Sequence, residues 1–157
     1  MQLYSEDLTP QGIVELLAEA LPEDRAEYEC LTGKPFEALG DTLMEFIEEL
    51  PNGAHVEAVR DPQGRLVAVG GLDTLGICWF VTTGRVRDHK GDFCKIIKHR
   101  RDVVHSCFHV PCTNIVMMSN DLHVRFLRYL GAEFINPVTI RGQEFRQFVI
   151  KPRSDNV

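Results

Sequence analysis

The sequence predicts an α/β fold in which helices flank a mixed central sheet. Helical periodicity dominates the first third of the chain, short apolar runs of strand length follow it, and a basic helical stretch separates two of those runs. A strand, a helix and a second strand in this order form a parallel pair through a right-handed crossover. The length of 157 residues suits one domain covering 1–157.

The first third, residues 1–53, is predicted to be acidic and helical. Thr9-Pro10 is a helix start, with threonine as the cap and proline at the first helical position, and apolar residues at helical spacing continue to Leu21. A second helix is expected over 35–50. The acidic residues between these helices, 23–33, are expected to form a loop or a short helical turn.

The sheet region, residues 54–150, begins where the spacing of apolar residues changes from helical to alternating. Residues 55–60 and 65–71 flank the turn sequence Asp61-Pro62-Gln63-Gly64, which predicts a hairpin. The continuous apolar run 77–81 predicts a central strand covered on both faces. The other predicted strands cover 2–4, 114–118 and 145–150.

Two more helices are predicted within this region. One begins near Lys90 and ends before Pro111, with most of its basic residues opposite its apolar face. The other is amphipathic and begins at Ser119 or Asn120, whose side chain is expected to accept a hydrogen bond from the first turn. Gly131 is expected to end this helix in the left-handed conformation.

Composition predicts a soluble protein inside the cell. No apolar run approaches the roughly 20 residues of a membrane span, and the five cysteines lack CxxC spacing, which indicates reduced thiols. The net charge of −6 divides into −11 over residues 1–60 and +5 over 61–157. Seven basic residues between Arg85 and Arg101 form either a solvated helix face or a positive field for the phosphates of a cofactor or nucleic acid. The tail 151–157 is polar.

The last predicted helix carries part of a family motif. Asn120, Phe126 and Gly131 match in register the pattern N-x-x-A-x-x-F-Y-x-x-x-G-F, and the order of the predicted elements matches as well. On these two grounds the chain resembles the GCN5-related N-acetyltransferase (GNAT) fold, which is the acyl-CoA N-acyltransferase fold. The resemblance implies a GNAT-like domain over 1–157 with acetyl-CoA as the candidate cofactor.

A narrower resemblance covers roughly residues 65 to 150. The strings Cys78-Trp79-Phe80-Val81-Thr82 and His123-Val124-Arg125-Phe126-Leu127 are similar to the internal virion protein family of T-seven-like podophages, which is regarded as acetyltransferase-like. This resemblance implies a bacteriophage protein of the host cytoplasm and the virion interior, with other phage virion proteins or host proteins as partners. The acidic first third matches that family poorly.

The GNAT resemblance implies a cofactor site at the end of the central strand and on the loop after it. That loop holds the pyrophosphate with backbone N–H groups and the positive end of the next helix, in the pattern Q/R-x-x-G-x-G/A. The loop over 84–92 does not match this pattern, whether Gly91 is taken as the first glycine or as the last small residue. The site is therefore expected to be degenerate. The residues implied to bind the cofactor are Phe80, Val81, Thr82, Arg85, Arg87, Lys90, Gly91 and Asn120.

The same resemblance implies a change at the catalytic position. Leu127 replaces the tyrosine that protonates the leaving thiolate, and leucine cannot donate a proton. Tyr129 lies about 200° further around the helix and faces elsewhere. His123 is the candidate catalytic acid or base instead, with a structural histidine as the alternative. The candidate general bases by position, each also typical of a surface residue, are His55, Glu57 and Asp73.

Three further patterns have weaker support. One group has the residue types of a zinc site: His105, Cys107, His109 and Cys112. Positions 105 and 109 share a helix face that excludes 107, so no metal is predicted. Cys78 and Cys94 have no identifiable partner base and are expected to be small core residues. The basic stretch lacks interleaved exposed aromatic residues, so nucleic acid is not expected as a partner.

The sequence therefore predicts a bacteriophage GNAT-like protein that acts in the virion or its assembly, with a degenerate acetyl-CoA site and no requirement for catalysis. The alternative is an active acetyl-CoA-dependent N-acetyltransferase that modifies a host or phage amine. A third interpretation is a basic-faced module that interacts with the host or binds nucleic acid. Whether the protein is an enzyme stays open among these three.

Overall fold

A computed structural model of the protein describes residues 2–50 and 53–152. Its elements are β1 (Tyr4–Asp7), α1 (Pro10–Glu19), α2 (Pro22–Thr32), α3 (Ala38–Glu49), β2 (His55–Arg60), β3 (Leu66–Leu72), β4 (Cys78–Thr82), a 3-10 turn (Gly84–Asp88), α4 (Lys90–Phe108), β5 (Cys112–Met117), α5 (Asp121–Tyr129), β6 (Glu133–Ile140) and β7 (Gln143–Ile150). None of the helices in this described part is long and apolar enough to cross a membrane. The predicted polar tail lies outside the described residues from 153 onward.

The described strands form two antiparallel sheets, one in the order β1-β2-β3-β4 and one in the order β5-β7-β6. The sheets meet where β4 and β5 run parallel. A bridge between Ile77 and Thr113 joins them, and the Asn114 amide donates a hydrogen bond of 3.0 Å to the Cys78 carbonyl oxygen. The predicted parallel pair is thus present at the start of the two strands, and beyond it they separate.

Apolar side chains on both sides of the first sheet fix the helices in place. Leu16 of α1 and Leu43 of α3 share a core cluster with Val69 of β3. Phe93 of α4 and Phe126 of α5 belong to a second cluster, which includes other residues of β2 and β3. Burying one such side chain stabilises the fold by about 1.5–3 kcal/mol, so these contacts hold both layers of helices against the sheet.

Residues 23–32 belong to helix α2, which has 11 residues, so the expectation of a loop or a short helical turn over 23–33 is wrong. Pro22 stands in the first turn, Glu23 and Asp24 are acidic first-turn residues, and Gly33 ends the helix in the left-handed conformation at φ 70°. The apolar stripe that normally reveals a helix is missing because a charged residue, Asp24, is the one buried on the inner face.

Helix α4 begins and ends close to the predicted positions. Its C-cap is His109, at φ 53°, two residues before Pro111. One basic residue departs from the prediction that the charges lie on the outer face. Arg101 is buried, and it donates hydrogen bonds to the Leu130 carbonyl oxygen and to the carboxylate of Asp102.

Helix α5 has the predicted end and a different start. Gly131 adopts φ 87°, the left-handed conformation expected of it. Asn120 is the N-cap residue, but its side chain makes no capping hydrogen bond and turns towards α2 instead. That orientation brings α2, β4 and α5 together.

Candidate functional site

Helix α2 contacts the end of β4 through a carboxylate. The side chain of Asp24 accepts hydrogen bonds at Oδ2 from the backbone N–H of Thr82 (2.6 Å) and from its hydroxyl group (2.7 Å). The Leu21 N–H, at the N-cap of α2, donates to the Thr82 carbonyl oxygen at 2.9 Å. Helix α2 therefore satisfies the backbone polar groups of Thr82 that face away from β3.

Helix α5 supplies the other half of the same site. His123 Nε2 lies 2.9 Å from Asp24 Oδ1, and His123 Nδ1 lies 3.9 Å from Glu27 Oε1. The Asn120 amide donates to Asp24 Oδ1 at 3.0 Å and to Glu27 Oε1 at 2.6 Å. The five residues Asp24, Glu27, Thr82, Asn120 and His123 are called the carboxylate–histidine cluster below.

Burial and charge set the protonation of this cluster. Burial alone would raise the pKa of Asp24, but the hydrogen bond and charge of His123 and the hydrogen bonds from Thr82 outweigh it and lower that pKa. Burial would lower the pKa of His123, but the hydrogen bond and charge of Asp24 outweigh it and raise that pKa. Burial raises the pKa of Glu27. The cluster is thus built around an aspartate–imidazolium pair.

The surroundings of the pair are aromatic and tightly packed. The Phe80 ring lies 4.4 Å from the His123 ring, centroid to centroid, at an interplanar angle of 35°. The Oδ1 atom of Asn120 is buried and has no hydrogen-bond partner among the described residues. Such an arrangement keeps a proton on an imidazole beside a carboxylate, which is a requirement for a general acid.

Three members of the cluster also have the atoms of a metal site. One ligand atom each from Asp24, Glu27 and His123 lie within 4.8 Å of one another. The hydrogen bonds from Thr82, Asn120 and the Met117 N–H to these carboxylates hold the same atoms in place without a cation. The hydrogen bonds, together with the pairing of Asp24 and His123, offset the burial of these charges.

Four of the residues implied by the resemblance meet here: Phe80, Thr82, Asn120 and His123. Val81 packs instead against the core shared with α1 and α3. Leu127 is buried and Tyr129 is exposed, so the tyrosine faces away as predicted. Sequence reasoning missed Asp24 and Glu27, and the signals that could have located them are the helix-start residues of α2.

The basic loop after β4 contacts acidic residues of the first third. Arg85 makes a two-point contact with Glu19 (2.7 and 3.3 Å) and also donates to the Leu66 carbonyl oxygen. Arg87 lies 3.5 Å from Glu23. Lys90 and Gly91 begin α4, and a Cβ built on Gly91 would meet no described atom within 4 Å.

The candidate bases chosen by position lie around a separate cavity of about 360 Å³ between the first sheet and α4. Glu57 is bonded to His55 (2.6 Å) and to Arg100 (2.6 and 2.9 Å). Asp73 accepts from the N–H groups of Leu75 and Ile77, which makes it a turn residue. The cavity wall is mostly apolar, with aromatic and aliphatic side chains from β3, β4 and α4.

The four residues of the rejected zinc pattern do not come together in the structure. His105 and Cys112 are buried and lie 3.7 Å apart, Nε2 to Sγ, whereas Cys107 and His109 are exposed. Burial raises the pKa of Cys94, which favours the protonated thiol.

The whole chain is similar to spermidine N-acetyltransferase from Vibrio cholerae. The structure of that enzyme in complex with CoA and spermine matches with a TM-score of 0.68 and 15% identity, covering 96% of each chain. A chimera of the Vibrio cholerae enzyme with hSSAT gives 0.68 and 17%, covering 97% of this chain and 96% of that one. The structure in complex with manganese ions gives 0.60 and 15%, covering 95% and 92%. The predicted GNAT-like α/β fold is thereby confirmed.

The sequence comparisons identify a family of phage proteins. No curated protein matches the chain. Residues 58–139, just over half of the chain, match the family described as bacteriophage T7, probable scaffold protein Gp13. The matched segment includes Thr82, Asn120 and His123, and it begins after α2, which carries Asp24 and Glu27. The chain belongs to the family of the bacteriophage T7 probable scaffold protein Gp13.

Proposed function

We propose that the protein acts in the phage particle or in its assembly, as a relative of the podophage internal virion protein that does not need catalysis. Its partners are other phage virion proteins or host proteins, and its place is the host cytoplasm and the virion interior. The observation that carries the proposal is the position of α2, whose residues bind the strand ends where the resemblance would place acyl-CoA.

The backbone groups at the separated ends of β4 and β5 are already hydrogen-bonded to this helix and its N-cap. Leu21 N–H donates to the Thr82 carbonyl oxygen, Thr82 N–H donates to Asp24, and the Met117 N–H of β5 donates to Glu27 Oε2 at 3.1 Å. A ligand lying along Phe80-Val81-Thr82 would have to replace these bonds, and the carboxylates of Asp24 and Glu27 would lose their backbone N–H donors. These contacts argue that acyl-CoA does not fit.

The phosphate side of the implied cofactor site gives the same argument. Arg85 and Arg87 are two of the three Lys or Arg residues of the degenerate loop over 84–92, and each faces a glutamate of α1 or α2. A pyrophosphate would compete with those carboxylates for the same guanidinium groups. Lys90 and Gly91 alone offer a weak site, because the pattern that supplies converging N–H groups is missing.

Binding of acetyl-CoA is tested by calorimetric titration and by measuring the unfolding temperature in its presence. The expected result is no heat and no shift at millimolar acetyl-CoA, whereas a ligand at 100 times its dissociation constant would add about 2.7 kcal/mol to the free energy of unfolding. The matched variant is Arg87→Ala. A shift in the wild type that this variant weakens would overturn the proposal and locate the phosphates on the loop.

Complementation of a phage that lacks its own copy of the gene tests the role in assembly. The double variant Arg87→Ala with Lys90→Ala changes two exposed side chains of the phosphate loop, so the yield of infectious particles is expected to equal that of the wild type. The control is Gly76→Ala, which disturbs the joint between the sheets and is expected to reduce the yield. A particle defect in the double variant at an unchanged unfolding temperature would contradict the proposal.

An acetyl-CoA-dependent N-acetyltransferase is the second candidate, and the Asp24–His123 pair is the observation in its favour. In that function the protonated His123 would donate its proton to the thiolate that leaves when an acetyl group passes to a host or phage amine, with Asp24 orienting the ring. The test is transfer of labelled acetyl groups to polyamines and lysine peptides. Acetyl transfer that is lost in His123→Gln but kept in Tyr129→Phe would establish this candidate.

The basic-faced module is the weakest of the three functions. Four of the seven basic residues between Arg85 and Arg101 contact acidic groups: Arg85, Arg87, Arg100 and Arg101. These pairs reduce the positive field that the sequence suggested. Binding of duplex DNA with an affinity that falls steeply with salt would restore this interpretation.

A further inference from the structure

The cavity between the first sheet and α4 follows from small residues on the sheet. Alternate residues of a strand share one face, and the residues of β3 that line the cavity include the alternating set Ala68, Gly70 and Leu72. Gly70 pairs with Phe80 of β4, and Leu72 pairs with Cys78. Because Ala68, Gly70 and Cys78 have small side chains or none, they leave about 360 Å³ unfilled between the sheet and the helix.

We propose that this cavity binds one small, uncharged and mostly apolar molecule, of about the size of two fused aromatic rings or of an aliphatic chain of similar volume. Ligand pockets in proteins occupy about 300–1,000 Å³, and an apolar cavity of about 150 Å³ already binds benzene. The inference goes beyond the proposed function, because no described lining residue belongs to the carboxylate–histidine cluster or to the loop over 84–92. Its failure would leave that proposal unchanged.

The inner wall of the cavity is apolar and closed to solvent. Helix α4 contributes Phe93, Ile97 and Val104, and the end of α5 contributes Leu127 and Leu130. All of these except Ile97 are buried, and Ile97 is partly buried. An empty space leaves such side chains without contacts on one side, and an apolar ligand restores those contacts while its own surface leaves water.

The charged side chains in the wall already have partners within the protein. Glu57 is bonded to His55 and, through two hydrogen bonds, to Arg100. Arg101 donates to a backbone carbonyl oxygen, and Asp73 accepts from two backbone N–H groups. A charged ligand would have to break one of these contacts or be buried without a partner, and both are costly. The wall therefore favours an uncharged ligand.

The opening of the cavity lies beside the end of α4. Val103 and Phe108 line the cavity and are exposed, and they are the large apolar side chains at the surface among its described lining residues. A stable protein interface buries about 800 Å² on each partner, which is far more than two side chains provide. The opening therefore suits the entry of a small molecule rather than the docking of a protein.

The test titrates the full chain with N-phenyl-1-naphthylamine, an uncharged dye whose fluorescence rises in apolar surroundings. The matched probe is 8-anilino-1-naphthalenesulfonate, which has the same rings and an added sulfonate. We expect a saturable rise in fluorescence with one uncharged dye bound per chain, and a higher unfolding temperature in its presence. The sulfonated dye should bind about tenfold more weakly or worse, because its charge would be buried without a partner.

Intermolecular NOEs locate the dye in the wild-type protein. Its ring protons should give NOEs to the methyl groups of Ile97, Val104 and Leu127, which line the cavity. Ala68→Leu adds three carbon atoms to the cavity wall and should weaken binding by about tenfold or more without lowering the unfolding temperature. The control Ala18→Leu makes the same change at an exposed position of α1 and should bind the dye as the wild type does.

Four results would overturn the proposal. The first is a wild type that shows no saturable binding of the uncharged dye up to its solubility limit. The second is a set of NOEs to methyl groups outside the cavity. The third is a sulfonated dye that binds as tightly as the uncharged one, and the fourth is a folded Ala68→Leu variant that binds like the wild type. Because the first three use the wild type, a variant that fails to fold still leaves the proposal open to refutation.

Discussion

Replacing Asp24 by asparagine removes the charge that faces His123 and keeps the shape of the side chain. The aspartate contacts four donor groups: the N–H and hydroxyl of Thr82, the Asn120 amide and His123 Nε2. The first two contact Oδ2 and the last two contact Oδ1. An asparagine has one oxygen, so whichever way its amide turns, two of these donors would face an NH₂ group.

The expected cost is large because the site is closed to water. Asp24 is 5% exposed and His123 is 6% exposed. Removing one partner of a buried ion pair costs about 3–5 kcal/mol, since the other charge stays buried and uncompensated. His123 can lose its proton and so escape part of this cost, which places the expected loss near the lower end, about 3 kcal/mol. A loss of this size is a large part of the roughly 5–15 kcal/mol that stabilises a folded protein.

Urea unfolding monitored by far-ultraviolet circular dichroism measures the effect. Asp24→Asn should lower the midpoint at an unchanged slope. The matched control is Asp88→Asn, an exposed aspartate, which should stay within about 0.5 kcal/mol of the wild type. In a His123→Gln background the cost of Asp24→Asn should shrink by about 1 kcal/mol or more, because the coupling energy of two residues in contact is about 0.5–3 kcal/mol. A loss below about 1 kcal/mol, or strictly additive variants, would refute the ion pair as the basis of the site.

Three other perturbations have defined outcomes. The pKa of His123 is raised from 6.5, so the stability that its protonated form adds is present below pH 6.5 and is lost as the pH rises through the pKa of the folded state. The free energy of unfolding should therefore fall over that pH window, and it should fall less in His123→Gln. Gly76→Ala would place a Cβ 2.0 Å from the Pro111 carbonyl oxygen at φ 88°, so its unfolding midpoint should fall well below that of Gly142→Ala, which shares the positive φ (80°) without a described atom within 4 Å. Arg60→Lys removes a guanidinium that donates to two glutamates and to the Gly64 carbonyl oxygen, and thermal unfolding should show a loss of about 2 kcal/mol.

Elements marked by a local apolar run or by a glycine stop could be predicted from the sequence. The run Cys78-Trp79-Phe80-Val81-Thr82 is β4, and Gly131 ends α5 as expected. These features depend on local periodicity and on backbone conformation, which are visible in a few neighbouring residues. The fold class followed from their order along the chain.

The candidate site could be predicted only in part because its partners are distant in sequence. His123 and Asn120 were identified on α5, but Asn120 donates to Asp24 across 96 residues. A carboxylate on the inner face removes the apolar stripe that marks a helix, so the same residue that builds the site concealed the element that carries it. The helix-start residues Pro22 and Glu23, and Gly33 at the end, carried the missing information.

The uneven charge of the chain has a structural explanation that joins these observations. The first third supplies Glu19, Glu23, Asp24 and Glu27, and their partners lie on the loop after β4, on β4 and β5, and on α5. The family match begins at residue 58, after all four acids. Within one chain, therefore, an acidic helical segment outside the matched region docks on the basic and polar end of an acetyltransferase-like sheet. Two guanidinium groups of the positive stretch, those of Arg85 and Arg87, thus pair with carboxylates of the protein's own first third, which accounts for part of the charge asymmetry.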